Sequence, residues 1–121
     1  MRRDPHTAAW DALKAARKIQ RFTQGIERSA YFEDDLLQSA VERQFEVIGE
    51  SLNRLSRLSS ELATQIPDLP KIVAFRNVLI HGYAEVETAV VWDAVTTHLP
   101  PLIENLSALL GEAPAQSDER P

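Results

Sequence analysis

Cysteine is absent from all 121 residues, which excludes disulfide stapling, thiolate nucleophiles and Cys-type zinc sites. No run of about 18 apolar residues occurs, so a membrane span is not expected. The basic start Met1-Arg2-Arg3-Asp4-Pro5 has no apolar stretch behind it, unlike a secretory signal, and the expected location is cytoplasmic. A glycine-rich phosphate loop, a serine or cysteine nucleophile motif and a His/Asp/Glu set at metal-ligand spacing are all missing, so neither metal nor cofactor is expected. Positive charge is also short. Thirteen Lys and Arg face 18 Asp and Glu, a net charge of −5 that argues against broad adhesion to nucleic acid. A local basic groove remains compatible with that balance. Finally, no strand-type alternation, internal repeat or low-complexity tract is present beyond the last ten residues.

What the sequence does have is helical rhythm. Its length and its 44% hydrophobic content fit one soluble domain with a single core. Asp4-Pro5 is a helix-start pair, a capping carboxylate followed by a proline at the first helical position. Trp10, Leu13, Ala16, Ile19 and Phe22 then recur at helical spacing up to Gly25. The other face carries Lys14, Arg17, Lys18 and Arg21, a basic stripe that reads either as a solvated face or as a contact for RNA phosphates or an acidic partner. Ser29 to Asp35 reads as a short connection, with Glu33-Asp34-Asp35 suited to a helix start.

The next helix runs from about Asp35 to Leu58. Leu37, Val41, Phe45, Ile48, Leu52 and Leu55 form a heptad-like seam, and Leu36, Ala40, Val47 and Leu58 broaden it. A stripe this wide predicts burial on more than one side, by helices of the chain and by a second subunit. Gly49 sits in the middle, where glycine costs about 1 kcal/mol relative to alanine, so a close helix crossing or the approach of another backbone is expected there. Arg43, Glu46 and Glu50 are explained by ordinary pairing along the helix. A short helix from Ser59 or Ser60 ends at Pro67, and Asp68 opens a third main helix with Pro70 in its first turn. Ile72, Phe75 and Leu79 are its predicted buried row, with Val73, Val78 and Ile80 beside them. The fourth main helix buries Val91, Val95, Leu99, Leu102, Leu106 and Leu109, is kinked by Pro100-Pro101, and stops at Gly111. The expected fold is an all-α antiparallel bundle of four main helices over 1–111, with a disordered tail over 112–121.

Into the apolar third helix are set four polar residues: Arg76, Asn77, His81 and Tyr83. Asn77 and His81 are four apart and share a helix face, and Gly82 is a natural helix stop. Arginine is a permanent cation able to fork two hydrogen bonds to a phosphate. Histidine can take or give a proton near neutrality. Such a set suits metal-free RNA cleavage, in which the ribose 2′-hydroxyl attacks its own phosphate. One copy is sparse; two copies across a two-fold axis would make a charged cleft.

The stretch Arg76-x4-His81-x-Tyr83 on a bundle helix resembles the HEPN superfamily, specifically the HepT-like toxins formerly called DUF86. Arg2-Arg3-Asp4, the run Ala40 to Glu50, Ile66-Pro67-Asp68-Leu69, Val91-Trp92-Asp93 and Leu99-Pro100-Pro101-Leu102 are similar to that family too, so the likeness spans roughly residues 1–110. The resemblance implies a homodimeric, metal-independent endoribonuclease toxin with Arg76 and His81 as the catalytic pair and Asn77 supporting them. It further implies an MntA-like nucleotidyltransferase antitoxin that transfers AMP to Tyr83. The added phosphodiester would repel RNA and divert Arg76. The other reading is a non-catalytic helical module that binds a nucleotide or a partner. Trp10 and Trp92 read as core or interface anchors, His6 as a first-turn residue, and His98 as structural or solvent-facing. Asp93 is open between a salt bridge and support of the motif.

Overall fold

The computed structural model describes residues 4–81 and 87–111. The expectations for Gly82, Tyr83 and the tail 112–121 lie outside the described residues. Helix α1 spans Pro5–Thr23, and the Asp4 side chain accepts a hydrogen bond from the His6 amide at 2.9 Å, with proline at the first position. Ala8, Ala12, Leu13, Ala16 and Ile19 are buried along one face. Those alanines let α1 lie close along the central helix α3, Asp35–Leu58. Asp34 caps α3 by accepting from the Leu37 amide at 2.9 Å, as the acidic start predicts. The α3 seam is buried at Val41, Phe45, Ile48, Leu52 and Leu55, whereas Leu36 and Leu58 at its margins are exposed. No described helix is long and apolar enough to cross a membrane.

The connection expected over Ser29 to Asp35 is instead partly helical. Helix α2, Arg28–Phe32, forms there because Tyr31 is fully buried and anchors it. The Tyr31 ring lies 4.9 Å from that of Trp92, centroid to centroid. Gln38 of α3 donates to the carbonyls of Tyr31 at 3.0 Å and Phe32 at 3.2 Å, satisfying the end of this short helix. Five residues would not hold a helix alone. Burial of one aromatic side chain, not local propensity, fixes the segment.

Ser59 caps the short α4, Ser60–Ala63, by accepting from the Leu62 amide at 3.1 Å. A turn around the buried Ile66 leads into α5, Leu69–His81. The last main helix is interrupted: α6, Thr88–Asp93, passes through a π-helical turn, Ala94–His98, into α7, Leu99–Leu109. Prolines 100 and 101 have no amide to return to the carbonyls four residues earlier. The amide of Leu99 donates to Ala94, five residues back, so the ladder widens immediately before the prolines. Val91, Val95, Leu99, Leu102 and Leu106 remain on one buried face through the change, and Leu109 is half-buried. The result is an all-α bundle with α3 at its centre, as the periodicity indicates.

One electrostatic cost is built into this core. Burial, then repulsion from Glu46, raises the Glu42 carboxyl above its usual range. Burial and the neighbouring Glu42 also raise the Tyr31 phenol, whose hydroxyl has no hydrogen-bond partner. Between the ordinary carboxylate pKa and the raised one, folded Glu42 holds its proton more than the unfolded chain does, so stability falls as pH rises through that window. Glu42→Gln is therefore expected to unfold at a higher temperature than the parent protein at pH 7. The difference should shrink toward zero below the usual carboxylate range, which thermal melts across a pH series will read.

Candidate active site on the third main helix

Helix α5 is strongly apolar, yet only Leu69 and Leu79 of its 13 residues are buried. Ile72, Val73 and Phe75 are half-buried, and Val78 and Ile80 are 39% and 43% exposed. The row expected to be buried is thus only partly covered by this one chain. α5 packs on α3 at the position the sequence marks. A methyl group on Gly49 would overlap Arg76 Cβ and lie 2.7 Å from Cγ, with the Ile72 carbonyl 3.4 Å away. Gly49 is therefore the close helix crossing, and the root of the Arg76 side chain occupies the missing side chain's place.

From that seat the arginine runs outward. Its Nε is enclosed without a hydrogen-bond partner, while Nη1 donates to Asn77 Oδ1 at 3.0 Å. His81, one turn on, places Nδ1 2.7 Å from the carbonyl oxygen of Asn77. A carbonyl only accepts, so this contact requires Nδ1 to carry the hydrogen and makes Nε2 the basic nitrogen of the neutral ring. Asn77 thus acts twice: its side chain holds the guanidinium and its main chain sets the tautomer of the imidazole. Sequence spacing showed that Asn77 and His81 share a face; the use of the backbone carbonyl is visible only in the structure. Asn77 and His81 are exposed, so the set faces solvent. Tyr83 lies outside the described residues.

The basic stripe lies elsewhere. Lys14 sits 3.9 Å from Asp11 and 5.8 Å from the Trp10 ring centroid, Arg17 is half-buried, and Lys18 and Arg21 are exposed. The groove beside Lys14 and Lys18 is walled by α1 and α3, with Arg43, Glu50 and Arg54 on the α3 side and no α5 residue. Arg54 pairs with Asp11 at 3.3 Å and Arg43 with Glu46 at 3.3 Å, so part of the local positive charge is already matched. Within one chain the stripe and the α5 set are separate features.

A second polar group was not legible in the sequence. His98 is flanked by two carboxylates, Asp93 at 3.6 Å from Nε2 and Asp68 at 4.0 Å from Nδ1. Asp93 also accepts from the Thr97 hydroxyl at 3.2 Å. Asp93 is therefore placed within ion-pair distance of His98. Residues five apart diverge on an α-helix, and the π turn is what brings His98 back toward Asp93.

The sequence profile of the family described as Ribonuclease HepT-like matches residues 12–109. A protein of Methanocaldococcus jannaschii named "Putative RNase MJ1380" is 27% identical over 101 residues, covering 82% of this chain and 90% of that protein. "Probable ribonuclease HepT" of Thermococcus cleftensis is 32% identical over 92 residues, covering 76% and 83%. The M. jannaschii protein "Gamma-glutamylcyclotransferase and putative RNase MJ0434" is 28% identical over 112 residues, which are 93% of this chain and 50% of that protein. No solved structure gives a significant match. A family model covering residues 12–109, a relative 32% identical over most of both chains, and the all-α bundle agree: the chain belongs to the HepT-like ribonuclease family.

Proposed function

We propose that this protein is a metal-independent endoribonuclease toxin that acts as a homodimer. The observation that carries the reading is the α5 geometry: a guanidinium and an imidazole are held one turn apart through a single asparagine, on the solvent face of an apolar helix. His81 Nε2 would take the proton from the ribose 2′-hydroxyl, and Arg76 would meet the charge developing on the phosphate. The family description and the names of the relatives support RNA as substrate. The dimer is supported by α5 itself, since Val78 and Ile80 remain exposed beside the set. Two such helices meeting across a two-fold axis would cover that apolar surface and bring two arginines and two histidines to one cleft.

The purified protein, freed of any partner, is expected to cut single-stranded RNA in the presence of a chelator. His81→Ala should reduce cutting by at least about a hundredfold, the usual scale of general acid–base catalysis, while eluting as a dimer. Undiminished cutting by that variant would remove His81 from the mechanism.

Regulation follows the same chemistry. A nucleotidyltransferase antitoxin of the MntA-like kind would transfer AMP from ATP to the hydroxyl of Tyr83, releasing pyrophosphate. The new phosphodiester places negative charge two residues from His81, where RNA phosphate must sit. After co-expression with such a partner, intact mass should rise in steps of one AMP, and Tyr83→Phe should abolish the steps. A mass that stays unchanged with active partner and ATP would contradict this switch.

A further inference from the structure

Between the first half of α5 and the α6–π–α7 segment lies a cavity of about 190 Å³ that the proposed cleavage chemistry does not use. Its inner surface is apolar, with Phe45, Ile72, Phe75 and Leu102, and the two phenyl rings meet edge to face at 5.3 Å. Its rim is polar: Asp68, Lys71, Asp93 and His98. His98 spans the opening between the two carboxylates, 4.0 Å from Asp68 and 3.6 Å from Asp93.

We propose that this cavity receives one unstacked nucleobase of the bound RNA, with guanine preferred. The inference rests on the nuclease reading given above. Two acidic and two basic side chains share the rim, so neither an anionic nor a strongly cationic head is favoured. A nucleobase is what such a rim and floor fit together: a neutral ring with apolar faces and an edge of donors and acceptors. Single-stranded RNA is recognised in this way, by aromatic contact with the faces and hydrogen bonds to the edge. Among the bases, guanine offers two adjacent N–H donors on its Watson–Crick edge, which one carboxylate can accept together. Uracil offers one donor between two carbonyls, and those carbonyls would face the carboxylates. Phe75 precedes His81 by six residues, roughly 9 Å of helix rise and about 120° around the helix, so a strand of several nucleotides wrapping part of α5 would reach both.

The test uses the full chain and two exposed rim substitutions, Val90→Trp to fill the mouth and Asp93→Asn to remove an acceptor. Val90 is 52% exposed, so the larger side chain has room outside the core. Guanosine and uridine are titrated into isotope-labelled protein, and cut sites in a random single-stranded RNA are sequenced. Guanosine should shift the signals of Phe75 and His98 and bind about tenfold or more tightly than uridine, the scale of one bidentate base contact. Val90→Trp should abolish those shifts. The parent protein should cut at a fixed offset from guanine, and both variants should lose that preference while still cutting. Absence of guanosine-dependent shifts, with base preference unchanged in Val90→Trp, would overturn the inference and leave the nuclease reading intact. Signals that respond to an aromatic peptide and not to guanosine would assign the cavity to a protein partner and overturn it too. If the parent protein cuts no RNA, the nuclease reading fails, and the guanosine titration alone decides whether the cavity takes a base.

Discussion

The close approach of α5 to α3 at Gly49 is the contact on which the rest depends. A glycine in the middle of a 24-residue helix costs about 1 kcal/mol of helix propensity. In return the Arg76 stem is seated against the backbone of α3, inside the volume any other side chain would occupy. This fixes the rotation of α5 about its own axis. With Arg76 Cβ against Gly49, the Arg76 head emerges at Asn77, and His81 follows one turn later. The three polar groups are therefore placed by a backbone-level contact together with the hydrogen bonds through Asn77.

That placement leaves α5 unusually bare. One side is held by α3, another borders the cavity toward the π turn, and the apolar residues Val78 and Ile80 near its end face outward. A helix of this composition is stable at a surface only if something covers it, which is why a second copy belongs to the proposed active form. In the proposed function, the same bareness would give RNA access to both the Arg76–His81 pair and the cavity. The absence of a general positive field on the chain is consistent with a nuclease whose affinity is concentrated at a small site.

Much of this was legible in the sequence, for identifiable reasons. The seam of α3 and the faces of α1 and α7 follow a 3.6-residue period strong enough to give the elements and their inner sides. Gly49 pointed to a close approach, by a crossing helix or by another backbone, because glycine is costly in a helix interior. The rest depended on effects without a local signature. Helix α2 exists because Tyr31 finds Trp92 and the core, a tertiary event hidden in a polar stretch. Two consecutive prolines predicted a disturbed helix but not that the ladder would open into a π turn and carry His98 toward Asp93. Spacing puts Asn77 on the face of His81, but the contact of its main-chain carbonyl with the imidazole leaves no trace in residue identity. The apolar row of α5 predicts burial, but composition alone does not say how much of the cover this chain supplies.

The direct test of the Gly49 crossing is the unfolding free energy of Gly49→Ala in denaturant. Helix propensity and packing predict opposite signs at this position. If Arg76 is seated as described, the added methyl must displace the Arg76 stem or part α3 from α5, and stability should fall by about 1–3 kcal/mol, as for other overpacked cores. If the crossing were loose, alanine would raise stability by about 1 kcal/mol, the ordinary gain over glycine in a helix interior. That gain would contradict the account.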